Sequence, residues 1–178
     1  MNRAALLAAA LSAALPCACE NGFLTQQGYE PAQPVAYSHA LHAGEFKVNC
    51  RYCHFGAATS RHAGVPPAQL CLNCHAQVKK DASEILKLTK AIADDSPIEW
   101  IKVHRLPDFA WFSHAAHVAP ATGLECQKCH GPLETMVRVQ QVETMTMGWC
   151  LACHRETAAK PENAGKFDPP TDCAACHH

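Results

Sequence analysis

Ten cysteines and five histidines of this chain stand in one repeated phrase, CxxCH: Cys50-Arg-Tyr-Cys53-His54, Cys71-Leu-Asn-Cys74-His75, Cys126-Gln-Lys-Cys129-His130, Cys150-Leu-Ala-Cys153-His154 and Cys173-Ala-Ala-Cys176-His177. With 12 Cys and 12 His in 178 residues, random placement gives on the order of 0.05 such phrases in total. The spacing has a definite chemistry. Two thiols three residues apart lie on one turn and reach the two vinyl groups of a porphyrin as thioethers. The next residue then turns its imidazole to the iron. The phrase is the attachment signature of c-type haem, and its five copies predict five covalently bound haem c. Rival readings fail on specific grounds. Zinc ribbons use CxxC pairs two at a time to make one tetrahedral site, and five pairs is an odd number. A disulfide framework has no reason to repeat one gap so often. A thioredoxin-like site sits in a βαβ pattern, which this chain lacks.

The other seven histidines are His39, His42, His62, His104, His114, His117 and His178, and five six-coordinate haems need five of them. Tyr37-Ser38-His39-Ala40-Leu41-His42 precedes Cys50, and Phe112-Ser113-His114-Ala115-Ala116-His117 precedes Cys126. In each phrase the first His falls 11 or 12 residues before the first attachment cysteine. This is an internal repeat. Histidines at i and i+3 share one side of a helical turn, so each phrase can serve two irons. The repeat breaks at one place: His62 lies nine residues before Cys71, whereas Gln141 lies nine residues before Cys150. There the chain offers Met145 and Met147 instead, and a thioether ligand raises a haem's potential relative to His. Met147 as ligand and Met147 as a packing residue are both open. His104 lies outside both copies and is a candidate for the haem they leave short. His178 follows the last attachment phrase directly, at an end that frays.

The elements that must position these ligands are slight. Lys79 to Asp94 reads as an amphipathic helix, with Ala82, Ile85, Leu86, Thr89 and Ile92 on one stripe and Pro97 beyond its end. That stripe is expected to pack on the haem modules. Trp100, Ile101, Phe109, Trp111 and Phe112 form an aromatic connector, read as local core in preference to a docking surface. Strand is expected at most over Met136 to Val142.

Composition points the same way. The hydrophobic share is 48%, but much of it is Ala and Cys, and aromatic residues make 7%. Such a chain buries only a thin aliphatic core, and a bulky cofactor must do the rest. A conventional large α/β enzyme is excluded. A net charge of -1 excludes a general basic surface for nucleic acid. Met1-Asn2-Arg3 followed by an Ala/Leu run to Leu15 has the layout of an export signal. The run is short for a membrane span, which needs about 20 residues. Cleavage, and retention as a lipid-modified or other anchor at Cys17 or Cys19, are both open. The expected organisation is a signal or anchor at 1–19, a linker at 20–36 and a di-haem module at 37–75. A connecting helix and aromatic segment follow at 76–111, a second di-haem module at 112–154, and a loop with the fifth haem at 155–178.

The series YSHALHAG, CxxCH, RHAG, CLNCH, PIEWIKVHRLPDF, FSHAAHV, CQKCHGP and TMGWCLACHRE resembles the pentahaem cytochrome c subunit of alternative complex III, over about Val35 to Arg155. The resemblance implies a class III-like multihaem cytochrome c, mostly α and irregular, with haems forming the core and little strand. It implies a non-catalytic electron-transfer subunit of a membrane quinol:acceptor oxidoreductase, on the periplasmic face of a bacterial inner membrane. Its partners would be an iron–sulfur/molybdopterin-like subunit and quinol-binding membrane subunits. Its acceptor would be a small cytochrome c, a copper protein or an oxidase. Related subunits of quinone-reductase complexes look alike. A free shuttle of the cytochrome c3 type, or a multihaem reductase with an open iron, are the other classes. The absence of a Lys-rich face and the sufficiency of distal ligands weigh against them.

Overall fold

The computed structural model describes residues 25–166 and 168–177. The leader at 1–19, with Cys17 and Cys19, and His178 lie outside the described residues.

Short capped turns start most of the attachment phrases. Helix α1, Cys50–Cys53, begins at Asn49, whose side chain accepts the N–H of Arg51 at 2.8 Å. Such a cap satisfies one of the donors that a helix start leaves open. Helix α2, Ala68–His75, follows the Pro66-Pro67 pair, residues suited to an extended entry into a helix. Helix α3, Ser83–Ala93, is the amphipathic element. Helix α4, His114–His117, is capped by Ser113, which accepts from Ala116 N at 3.4 Å. Helix α5, Gln127–His130, is stopped by Gly131 at φ 72°, where an added Cβ would meet the Val142 side chain. Helix α6, Met147–Ala159, is capped by Thr146, which accepts from Trp149 N at 3.2 Å, and Pro161 follows its end. The last phrase starts a 3-10 turn, Cys173–Ala175, under the side chain of Asp172.

Side-chain core is scarce. Among the described residues the buried apolar positions are Val35, Ala57, Ile85, Leu88 and Val103. Val35, Ile85 and Leu88 form one cluster, with Ala68, Cys71, Ile98 and Trp100 packed against it. The amphipathic helix thus packs on α2, as its stripe implied, but with a turned face. Leu88 is 4% exposed, while Leu86 is 52% exposed. The cause is the segment read as a linker. Val35 sits on this face, Ala36 N donates to Glu84 Oε2 at 2.6 Å, and Lys87 Nζ donates to Pro34 O at 3.3 Å. Gln33 docks the same segment on the connector: its Nε2 donates to Ile101 O at 2.9 Å and its Oε1 accepts from Ile101 N at 3.0 Å.

The aromatic connector splits. Trp100 joins the small core, while Phe109, Ile101 and Trp111 stay exposed. Met136 to Val142 forms no strand: it bends at residues 137 and 138, and it pairs with short segments rather than with a ladder. Gly28 N donates to Gln141 O at 2.8 Å, Gln141 N to Tyr29 O at 3.0 Å, and Ala40 N to Met136 O at 2.8 Å. An isolated antiparallel bridge joins Ala110 to His177.

Candidate haem-binding site

The repeated phrase becomes a repeated geometry. In the first copy, Tyr37 stacks on His42 (ring centres 4.4 Å apart) and stands edge-on to His39 at 4.9 Å. In the second, Phe112 lies 4.4 Å from His117 and edge-on to His114 at 4.9 Å. His42 Nδ1 donates to Ser38 O at 2.9 Å, and His117 Nδ1 to Ser113 O at 2.8 Å. The aromatic residue and the serine therefore hold the two imidazoles of each copy apart and aimed in different directions.

Each of these four rings faces an imidazole from an attachment phrase. His39 is parallel to His54 at 6.4 Å, and His114 to His130 at 6.3 Å, each with an interplanar angle of 5°. His42 faces His75 at 6.1 Å, and His117 faces His154 at 6.0 Å. An imidazole nitrogen bonds a metal at about 2 Å, with its ring centre about 1 Å behind, so two imidazoles on opposite sides of one iron put their centres about 6 Å apart. The four gaps are of that size. Among the described residues no three or more His, Cys, Asp or Glu side chains converge on one point; the donors come as facing pairs, which suits the two axial positions of a haem and not a closed zinc site.

The rings are also held in the right tautomer. His54 Nδ1 donates to Gly64 O at 2.7 Å, His75 to Val78 O at 2.9 Å, His154 to Pro170 O at 2.6 Å and His177 to Phe109 O at 3.1 Å. His114 Nδ1 donates to Arg61 O at 2.9 Å. Each bond leaves Nε2 free with its lone pair outward, the arrangement of a metal-ligating imidazole. These carbonyls carry no side-chain signal and were invisible in the sequence. The Arg61 contact also locks the second copy to the first.

None of the ten motif cysteines is paired in a disulfide. Burial pushes Cys129 up to about 11, and burial also raises Cys53, Cys71, Cys126 and Cys150. Burial likewise pushes Tyr37 up to about 12. The phrases neighbour one another in a definite order. Asn73 Nδ2 of the second donates to Tyr52 Oη of the first at 2.9 Å, and Cys50 of the first lies close enough to Cys126 of the third to help raise it. Cys153 and Cys150 of the fourth raise Cys129 of the third, and Cys176 of the fifth raises Cys150 of the fourth.

Among the other expected ligands, His62 is exposed and faces no imidazole ring among the described residues. It adjoins Arg61, whose guanidinium lies 5.0 Å over Trp111, and Trp111 N donates to Cys176 O at 2.7 Å. Met147 is 67% exposed at the first turn of α6. Gln141 is instead buried and structural, its Nε2 donating to Thr25 O at 2.6 Å and Glu143 O at 3.1 Å. His104 stands 4.3 Å from His130, edge-on.

Burial holds His39 and His104 down to about 4 and His130 to about 3, the charges of neighbouring imidazoles adding to burial at His39 and His130. They are neutral in the fold but titrate near 6.5 in an unfolded chain. Below about 6.5 the unfolded state therefore binds protons that the fold excludes. Stability is full above that pH and declines as pH falls toward about 4. The melting temperature of the holoprotein is expected to be flat from pH 8 to 7 and to drop steadily from 6.5 to 4; a flat profile throughout would refute the assignment.

Fold and site together define a multihaem cytochrome c, mostly helical and irregular, with no strand among the described residues. Residues 110–178 match the family of cytochrome c7 and related cytochrome c, and this stretch is a cytochrome c7-type multihaem domain, which implies covalently bound haem c. The chain is 25% identical over 168 residues to the menaquinone reductase multiheme cytochrome c subunit of Nitratidesulfovibrio vulgaris, strain Hildenborough, covering 82% of this chain and 76% of that protein. Its function is multihaem electron transfer.

Proposed function

We infer that the chain carries five haem c and works as an electron wire within a membrane quinol:acceptor oxidoreductase. The observation that carries this is the set of four facing imidazole pairs at 6.0 to 6.4 Å, each built on an attachment phrase. The imidazole pairs that would hold the irons are His54/His39, His75/His42, His130/His114 and His154/His117. For the fifth haem, on Cys173, Cys176 and His177, the distal ligand is His62, whose neighbour Arg61 lies over Trp111, the residue that hydrogen-bonds Cys176 O. Met145 and Met147 are then not ligands, and Met147 stands in solvent. A haem supplies a one-electron centre; the protein fixes its spacing, ligation and burial. With both axial positions filled, no iron is open to substrate, and the chain is not itself an enzyme.

The contacts between phrases support a linear order: second, first, third, fourth, fifth. The resemblance to the alternative complex III subunit favours flow from a quinol-oxidising, iron–sulfur part of the complex, at the periplasmic face, to a cytochrome, copper protein or oxidase. The name of the 25% identical relative favours the reverse, electrons delivered to menaquinone. Intact mass is expected to show five added haems, and electron paramagnetic resonance five low-spin irons that bind no carbon monoxide when reduced. A bare polypeptide mass, or stoichiometric carbon monoxide binding, would sink the reading. Flow direction is read by adding menaquinol to the membrane complex: haem reduction within turnover supports quinol oxidation, whereas haems that are reduced only by a periplasmic donor and reoxidised by menaquinone support the reverse.

A further inference from the structure

His54, His75, His154 and His177 each rest Nδ1 on a backbone carbonyl. Among the described residues, His130 makes no such bond. It meets His104 instead, with ring centres 4.3 Å apart and planes at 85°. That gap is too short for an iron between two nitrogens, which needs about 6 Å between ring centres. His104 Nε2 is buried without a hydrogen-bond partner. A metal-ligating imidazole almost always donates its second N–H to an acceptor, and a buried acceptor left unmade is costly. The unmet donor and the unmet acceptor are neighbours.

We propose that His104 is a positioning residue for His130: with haem in place, its Nε2 accepts the Nδ1–H of His130 and sets the rotation of that ligand. The inference rests on reading His130 and His114 as the axial pair of the third haem. An imidazole lone pair takes up a proton near pH 6.5, whereas a peptide carbonyl is hardly basic in water. His130 is therefore the most electron-rich of the proximal ligands, and its oxidised haem is stabilised relative to the others.

The test compares His104→Phe and His104→Gln with the wild type by electron paramagnetic resonance and redox titration of the full holoprotein. His104→Phe is expected to keep every low-spin signal and to move one haem's reduction equilibrium about tenfold toward the reduced form, which is about 59 mV for one electron. His104→Gln restores a carbonyl acceptor and moves the same haem less. If the Phe variant does not mature, the Gln variant alone decides by that smaller shift of the same sign. A high-spin iron in either variant would make His104 an axial ligand, and unchanged midpoints would make it filler; both overturn the proposal. Failure of the ligand reading is told apart because it appears in the wild type, as a missing low-spin centre.

Discussion

Produced in a host that cannot attach haem, the exported chain is expected to show no cooperative unfolding transition and to be digested by protease at least a hundredfold faster than the holoprotein, on the order expected when most of a domain's stability is lost. The reason lies in what the described residues bury. Apolar burial is confined to Val35, Ala57, Ile85, Leu88 and Val103, while Phe46, Tyr52, Phe55, Phe109 and Trp111 remain largely exposed beside the attachment phrases and their distal histidines. Porphyrin faces are the surface these side chains would cover. Where a cofactor is the core, its binding energy is folding energy. The buried neutral imidazoles sharpen this: without iron, nothing repays the desolvation of the His39 and His130 rings. Far-UV circular dichroism should retain at most the signal of α3, whose packing on α2 does not need a haem. An apoprotein that melts cooperatively near the holoprotein's temperature would show that the small core suffices.

What was legible in the sequence, and what was not, follows from where the information sits. Cys50 to His177 could be read as attachment phrases because thioether chemistry fixes side-chain type and spacing. The aromatic-Ser-His phrases could be read as repeats, and they repeat down to the 4.4 Å and 4.9 Å ring distances. Which imidazole faces which could not be read, because pairing depends on how α4 and the π-helical turn Ala40–Glu45 sit against other segments. The supports of the ligands were hidden for another reason: Gly64, Val78, Pro170, Phe109 and Arg61 act through backbone oxygens, which every residue type has. Leu86 and Leu88 show how tertiary contact overrides a helical stripe. The polar residues Glu84 and Lys87, off the apolar stripe, face the backbone at Ala36 and Pro34, so the segment read as a linker lies against that side of the helix. Gln141 marks a departure of the second copy from the first; its burial pins residues 25 to 29 and needs no metal.

The same geometry makes the middle of the wire its most sensitive point. In the order second, first, third, fourth, fifth, the third haem is the central one, crossed by every electron that runs from end to end. His114→Met keeps six-coordination but exchanges a nitrogen for a thioether, which raises the potential. A rise of about 120 mV, within the roughly 0.8 V over which axial ligands move haem potentials, shifts the equilibrium for passing the electron to the next haem about a hundredfold toward the third, since each 59 mV is a factor of ten for one electron, and so slows escape. The expected result is asymmetric. After a single reducing pulse at one end, the haems on that side fill at the wild-type rate, the third traps the electron, and the far pair lags and holds about a hundredfold less of it relative to the third. His42→Met places the same change on the terminal second haem. There it shifts how fully that haem fills and leaves transfer among the other haems near wild type. Rapid-mixing spectroscopy with each haem resolved by its own potential distinguishes the two. Equal effects from the two variants, or a far pair in the His114→Met protein that fills without delay, would mean that electrons bypass the third haem and that contact between attachment phrases does not order the path.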